Sequence, residues 1–151
     1  AENVVAHNID EDHKTSANIK ARGAFTLSIA DIPHIEAADF FGIATGNKME
    51  DKFERSGLHA VKSGRVDAPV VEEFPLTLEC EVVECQHTVY GFRVLGEIVN
   101  VLADEKVLDE KGKVIPEKLN AFVFDQCRSG YYAVGEKVGQ AWQTGAKLMR
   151  K

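Results

Sequence analysis

The sequence has few cysteines and no long apolar run. Three cysteines stand among 151 residues, and such a small, odd number is typical of a reducing compartment rather than of a disulfide framework. Cys80 and Cys85 are five residues apart, so on a strand they face opposite sides and are not expected to share a metal ion. No apolar run approaches the roughly 20 residues that cross a bilayer, and we expect no signal segment. These features predict a soluble, cytoplasmic protein with no membrane partner.

Positive charge and the common catalytic motifs are also scarce. The chain carries 18 lysines and arginines against 24 acidic residues, a net charge of −6. Nucleic acid requires clustered cations, so it is not an expected partner. His7, His34, His59 and His87 lack metal-ligand spacing, and serine elbows, Walker loops and GxGxxG turns are missing. The sequence therefore predicts no metal site and no catalytic side chain.

What the sequence does contain is enough apolar residues, 44% of the chain, for one core. Alternation and β-branched content predict strands at 3–9, 24–30, 75–86, 92–103 and 121–125. The strand at 92–103 is apolar on both faces, which is typical of the inside of a barrel or of a subunit contact. Few long helices intervene, so the pattern favours an α+β fold with a central antiparallel barrel and peripheral helices.

Short helices are predicted beside these strands. Thr15 as N-cap and Gly23 as the residue after the C-cap bound the first helix. Asp31 is placed to cap a second helix that has Pro33 in its first turn. A weak helix, held back by two glycines, is expected to end the chain. Residues 45–67 are polar and irregular, and a connection of that length is more often functional than idle.

Five segments in one order carry a family resemblance. They are HKTSANIKARGAFTLSIA, ADFFGIATGNKMEDKFERSGL, VDAPVVEEFPLTLEC, RVLGEIVNV and FVFDQCRSGYYAVGE. With this order and spacing the chain resembles the flavin reductase-like, FMN-binding split-barrel family, and most closely its flavoredoxin type. The resemblance implies an antiparallel split β-barrel, FMN as cofactor and a homodimer. In the family the first barrel strands precede the segment matching Val4–Ile9, so residues 1–151 are expected to form the domain without them.

The start of the first helix is the expected phosphate site. Thr15 and Ser16 offer hydroxyls, free backbone amides and the positive end of the helix dipole, all of which suit a phosphate. Thr15 also falls on the flavin-contacting threonine of the family, and a plain capping role for it is compatible with that. His13 and Lys14 would add positive charge beside it.

Other site residues are expected from the resemblance. Lys52 falls on a flavin-contacting lysine of the family and would pair with the phosphate or with the electron-rich edge of the reduced ring. Asn47 and Lys48 form the preceding turn. Phe124 matches a phenylalanine that packs beside the isoalloxazine in relatives, although a core aromatic is the alternative for it.

One position departs from the family. Gly91 stands where flavoredoxin-like relatives tend to have a histidine. His87 lies four residues upstream, about 13 Å along a strand, and is not expected to replace it. Tyr90 or Phe92 is left as an alternative occupant of that space.

The resemblance implies redox chemistry by bound FMN. Electrons would come from NAD(P)H or a reduced carrier and pass to flavin, a protein partner or ferric iron, as in a flavin reductase-like oxidoreductase or an electron-transfer flavoprotein. The alternative hypothesis is a non-catalytic, dimeric split-barrel domain that binds flavin weakly or serves as a scaffold for a partner. The dimer contact is expected to include part of residues 92–103 and the segment near Tyr131.

Overall fold

A computed structural model describes residues 3–149 and contains eight strands and three α-helices within them. In chain order they are β1 (Val4–Ile9), α1 (Lys14–Arg22), β2 (Ala24–Ile29), α2 (Ile35–Ile43), α3 (Lys52–Arg55), β3 (Ala60–Lys62), β4 (Pro69–Val71), β5 (Leu76–Thr88), β6 (Gly91–Ala103), β7 (Phe122–Asp125) and β8 (Gly130–Ala133). Short 3₁₀ turns connect several of them.

Four strands form the central sheet in the order β1-β6-β5-β2, and every neighbouring pair is antiparallel. The long strands β5 and β6 make a hairpin, and β6 then pairs with β1 on its other side. Two register shifts, at Glu79/Cys80 and Val82/Glu84, interrupt the pairing of the hairpin. Bulges of this kind increase the local twist and curvature of a sheet. The predicted α+β class, with antiparallel strands and peripheral helices, is confirmed.

The core lies between α1 and the inner face of this sheet. Phe92 and Val94 of β6 are fully buried and pack with Phe25 of β2 and Ile19 of α1. Gly96, also on β6, makes room for the Phe25 ring, because a Cβ at position 96 would lie 2.5 Å from Phe25 Cζ. Side chains from β2, β5 and β6 therefore meet α1 in a single hydrophobic cluster.

Two further hairpins flank the sheet, β3 with β4 and β7 with β8. The β3–β4 hairpin lies largely within the segment predicted to be irregular, so that prediction missed it. Its strands have three residues each, too few to show an alternating pattern. The sequence had likewise given one strand at 121–125 where the structure has a β7–β8 pair.

Two helix predictions need correction. Asp31 precedes a 3₁₀ turn, and its carboxylate binds His34 Nδ1 instead of capping a helix amide. The helix expected at the end of the chain is wrong, because residues 134–145 form no helix and only a 3₁₀ turn follows at Ala146–Met149. Trp142 is 95% exposed. A helix with two internal glycines needs a packed face to compensate for its weak propensity, and this segment has none.

The strand at 92–103, which is apolar on both faces, is only partly buried within one chain. The second half of β6 leaves Val99, Val101 and Leu102 between 40% and 50% exposed. Within residues 3–149, no helix is long and apolar enough to cross a bilayer.

Candidate functional site

A cleft of about 620 Å³ lies between the start of α1 and the chain from the end of α2 to α3. It brings together three of the predicted site residues from α1 and its approach with Lys52 from α3. Its lining residues are His13, Lys14, Thr15, Asn18, Phe41, Gly42, Ile43, Ala44, Thr45, Gly46, Met49, Glu50, Lys52 and Phe53.

The start of α1 presents unpaired donors to this cleft. The helix begins at Lys14, and the side chain of its N-cap residue, His13, makes no capping hydrogen bond within the described chain. Its first turn has no acidic residue, so no carboxylate of the helix itself offsets the positive end of the dipole. This helix start can therefore accept an external anion.

Thr15 is not the N-cap that the sequence predicted. The carbonyl of His13 already accepts from the amides of Ser16 and Ala17, which starts the helix two residues earlier than expected. Thr15 thus lies in the first turn, exposed, with its side chain lining the cleft.

Ser16 turns away from the cleft. It is fully buried, and its hydroxyl donates to the backbone oxygen of Asp10 at 2.7 Å. One step along a helix rotates a side chain by about 100°, so adjacent hydroxyls of Thr15 and Ser16 face different surroundings. The Ser16 side chain therefore holds the β1–α1 turn, and its predicted phosphate contact is not supported by this geometry.

The 45–50 segment closes one side of the cleft by approaching α1. Gly46 lies against the Lys14 side chain, and a Cβ at position 46 would come within 3.3 Å of Lys14 Cδ. The Asn47 amide donates to the backbone oxygen of Asp12. Asn47 and Lys48 are exposed and do not line the cleft, so Asn47 tethers the segment instead of facing the site.

Lys52 has a structural role that the sequence did not suggest. Its ammonium donates to the backbone oxygens of Phe41 at 2.8 Å and Ala44 at 2.6 Å, where α2 ends. These are carbonyls that a helix leaves without an internal partner. Partial burial lowers the pKa of Lys52. An ammonium has three N–H donors, so one remains for a ligand in the cleft.

Two phenylalanines supply an apolar wall that the sequence did not assign to the site. The rings of Phe41 and Phe53 stack with a 9° angle between their planes and 5.9 Å between their centroids. Both line the cleft. The signal was present in the sequence, since both phenylalanines lie in the ADFFGIATGNKMEDKFERSGL segment that carries the family resemblance.

Phe124 lies elsewhere in the chain. It is on β7, 57% exposed, with its ring 5.6 Å from that of Tyr131 on β8. The Tyr131 hydroxyl donates to Asp39 on α2 at 2.6 Å and so anchors this hairpin. Within a single chain Phe124 does not line the cleft.

Gly91 and His87 are neighbours, which corrects the expectation of a separation near 13 Å. The chain reverses between β5 and β6, so His87 pairs with Phe92 and Thr88 with Gly91. The His87 ring lies 6.0 Å from the Phe92 ring, and its Nδ1 is 2.8 Å from Glu11 Oε2. The distance along one strand did not apply because a hairpin intervenes.

Gly91 itself has a structural requirement. Its φ is +112°, and a Cβ there would lie 2.9 Å from the backbone oxygen of Ile9. Only glycine adopts this backbone without strain. A histidine at position 91 would need the end of β1 to move. Tyr90 is 85% exposed, whereas Phe92 is fully buried in the core.

The residues of the cleft fit FMN. The α1 start, Lys14, Thr15 and Lys52 provide amide, ammonium and hydroxyl donors, which suit a phosphate. Gly46 allows the 45–50 segment to lie against the Lys14 side chain, which shapes this side of the cleft. The stacked phenylalanines provide an apolar surface for a planar ring. In the described part of the chain, no group of three His, Cys, Asp or Glu side chains is arranged to hold a metal.

Comparison with known proteins gives consistent findings. Residues 2–126 match the model of the flavin reductase like domain. Flavoredoxin of Desulfovibrio vulgaris (Miyazaki F) is 34% identical, with a TM-score of 0.87 over 94% of this chain and 75% of that chain. Flavoredoxin from Methanosarcina acetivorans is 25% identical, with a TM-score of 0.88 over 97% of this chain and 76% of that one.

A third solved structure bears on the fold. A protein with a split barrel domain from Shewanella frigidimarina NCIMB 400 is 27% identical, with a TM-score of 0.74 over 91% of this chain and 69% of that chain. The predicted split-barrel fold is confirmed by these matches. The curated proteins contain no match.

Proposed function

This chain belongs to the family of flavin reductase like domains, and from that premise we propose that it binds FMN in the cleft between α1 and α3. The observation that carries the proposal is the convergence of the uncapped α1 start, Lys14, Thr15 and Lys52 on one cleft with an aromatic wall. Family membership and cleft chemistry are independent arguments, and both favour a phosphate-bearing planar ligand.

The side chains have distinct roles in this proposal. Lys14 and the first-turn amides of α1 bind the phosphate, and Thr15 donates its hydroxyl to it. Lys52 contributes the third N–H of its ammonium from the opposite side. His13 lines the same end of the cleft and offers a further polar group beside the phosphate. Phe41 and Phe53 keep water from one side of the ligand.

Bound FMN would supply the redox chemistry, taking a hydride from NAD(P)H or electrons from a reduced carrier and passing them to flavin, a redox partner protein or ferric iron. The chain would hold the ring and limit solvent access. We place it accordingly with flavin reductase-like oxidoreductases or electron-transfer flavoproteins. A cytoplasmic location is part of the proposal, since Cys80, Cys85 and Cys127 are all free thiols.

A second candidate function has its own support. Lys52 is already engaged by two carbonyls, Phe124 lies outside the cleft, and Gly91 replaces the histidine of relatives. These features favour a non-catalytic split-barrel domain that binds flavin weakly or serves as a scaffold.

Titration of FMN into the purified chain decides between the two. We expect quenching of FMN fluorescence with one flavin bound per chain and a yellow protein after gel filtration. FMN that separates completely from the protein at micromolar concentrations would favour the scaffold.

We also propose a homodimer. The exposed apolar residues of β6 (Val99, Val101, Leu102) and of the β7–β8 hairpin (Val123, Phe124, Tyr131, Tyr132) form surfaces that proteins seldom leave in water. In a dimer, these surfaces would be covered by a second copy. Phe124 could then face a flavin held by the other chain.

Sedimentation is expected to give twice the mass of the chain. Val101→Asp should produce monomers, because it places a charge on the proposed contact. The control is Val89→Asp at the turn of the β5–β6 hairpin, where the side chain is 92% exposed and the dimer should persist. A wild-type chain that sediments as a stable monomer would contradict the proposal.

A further inference from the structure

A second cleft, of about 690 Å³, adjoins the first along α1. It lies between α1, β2 and the β3–β4 hairpin, and it shares Thr15 and Asn18 with the first cleft. A ligand here would therefore lie beside whatever occupies the first cleft, with Thr15 and Asn18 between them.

Two cations at this cleft share one carboxylate. Arg22 Nη1 is 2.9 Å and Lys62 Nζ is 3.3 Å from the carboxylate of Asp67. These cations hold the pKa of Asp67 below its usual value. No other acidic residue lines the cleft, so one positive charge remains without a partner. The pairs are largely exposed, and exposed pairs of this kind contribute little, so a ligand anion can compete for the cations.

The excess of positive charge at the two clefts is unusual for this chain. Lys14, Lys52, Arg22 and Lys62 line the two clefts against only two carboxylates, Glu50 and Asp67. The whole chain has the opposite balance, with a net charge of −6. Clefts that concentrate one sign of charge attract ligands of the other sign.

The floor of the second cleft is apolar. Ala24 and Ala68 are buried, and together with Val66 they form a small cluster between β2 and the hairpin. Pro69 continues this surface. Its carbonyl accepts a hydrogen bond from the Thr26 hydroxyl, so that hydroxyl is already paired. The floor therefore suits the apolar part of an organic molecule.

The hairpin wall is held in place by a buried polar group. Glu79 on β5 is 1% exposed, and its carboxylate accepts from the hydroxyl of Ser63 and from the amide of Asn100. The Ser63 oxygen in turn accepts from the amides of Arg65 and Val66. A fully bonded buried network fixes the loop that joins β3 to β4, so the cleft is preformed.

We infer that the cleft between α1 and the β3–β4 hairpin binds a small organic anion, with its charged group at Arg22 and Lys62 and its apolar part on Ala24, Ala68 and Pro69. The inference goes beyond the proposed function: the two clefts share only Thr15 and Asn18, so this anion would lie at the end of the first cleft where we place the FMN phosphate. A carboxylate and a diphosphate share the required chemistry.

Calorimetric titrations of the full chain, with and without saturating FMN, test the inference. The probes are benzoate, its uncharged analogue benzamide, and inorganic pyrophosphate. We expect an anion to bind and benzamide to bind at least about tenfold more weakly, since a charge-assisted contact is lost. Benzoate as the tighter probe would identify a carboxylate ligand, and pyrophosphate as the tighter probe a diphosphate.

Two variants that break the same ion pair separate binding from structure. Arg22→Met should weaken anion binding roughly tenfold, because it removes a cation. Asp67→Asn should strengthen anion binding several-fold, because it removes the competing carboxylate. If the ion pair had a purely structural role, the two variants would change the anion affinity in the same direction. Arg55→Met, which breaks the comparable Arg55–Asp51 pair outside both clefts, is the matched control and should leave binding unchanged.

The outcomes are distinct. Opposite effects of Arg22→Met and Asp67→Asn support the inference. Absence of anion binding, effects of the same sign, or an equal loss in Arg55→Met overturns it. FMN titrated into the same proteins reports separately on the proposed function: a chain that binds anions with the expected pattern but not FMN would retain this site and lose the flavoprotein assignment.

Discussion

Lys52→Met is expected to weaken FMN binding about 10- to 100-fold. A charge-assisted contact to a phosphate is worth about 1.5–3 kcal/mol, and each 1.4 kcal/mol corresponds to roughly tenfold in a dissociation constant. Lys52 lines the cleft with one N–H to spare, and methionine keeps most of its apolar stem. Fluorescence titration of FMN gives the dissociation constant directly.

The same variant also removes two hydrogen bonds to the end of α2, so affinity has to be separated from a change in cleft shape. Riboflavin, which lacks the phosphate, makes that distinction. Loss of FMN affinity with riboflavin affinity retained indicates a phosphate contact, whereas a parallel loss of both indicates a contact to the ring or a distorted cleft.

Two further variants serve as a control and a comparison for the FMN affinity of Lys52→Met. Lys48→Met removes an exposed lysine of the neighbouring segment outside the cleft, and it should leave the dissociation constant unchanged. Thr15→Ala should weaken FMN binding less than Lys52→Met does, because the backbone amides of the α1 start remain. An unchanged FMN affinity in folded Lys52→Met would remove Lys52 from the site.

The sequence predicted the central strands because their side chains alternate over long stretches. Phe25, Leu27 and Ile29 on β2 alternate with smaller or polar neighbours, which makes the core-facing side of that strand evident. On β5 the alternation located the strand but not its burial, because Thr77 and Glu79 on the other face are each 1% exposed. Gly23 ends α1 as predicted, with φ +64° and its amide bonded to the oxygen of Ile19. Local rules sufficed where burial and backbone geometry point the same way.

The site was less predictable because its geometry depends on contacts between distant segments. The sequence indicated a cation at position 52, but not that the carbonyls of Phe41 and Ala44 would take up two of its donors. It placed Thr15 and Ser16 together, but the Ser16 hydroxyl was drawn inward by the oxygen of Asp10. Which donors remain for a ligand is decided by these tertiary contacts.

The position of His87 illustrates the same limit. Thr88 and Gly91 bound a tight turn, and recognising it would have placed His87 beside Phe92. The turn has Val89 and Tyr90 at its centre, with none of the usual Asn-Gly or Asp-Gly signal. The turn depends on the backbone conformation of Gly91, whose φ of +112° could not be read from the sequence.

Gly96→Val is expected to lower the free energy of unfolding by about 3 kcal/mol, near the upper end for overpacked cores. A Cβ at position 96 would lie 2.5 Å from Cζ and 2.6 Å from Cε1 of Phe25, and 3.3 Å from the Cβ of Cys80. Phe25 is 6% exposed and packs against the His7 ring at 5.0 Å, so its ring has little space to retreat. Urea unfolding at a fixed protein concentration measures the change.

A double-mutant cycle identifies the clash as the cause. Phe25→Leu alone leaves space in the core and should be destabilising, but it also makes room above residue 96. The double variant Phe25→Leu/Gly96→Val should therefore be more stable than the sum of the two single changes implies. Gly64→Ala is the control, since no atom lies within 4 Å of a Cβ there, and its stability should stay within about 0.5 kcal/mol of wild type. Additive effects in the cycle would mean that the Phe25 ring moves aside at no energetic cost, and that its close approach to β6 does not require glycine.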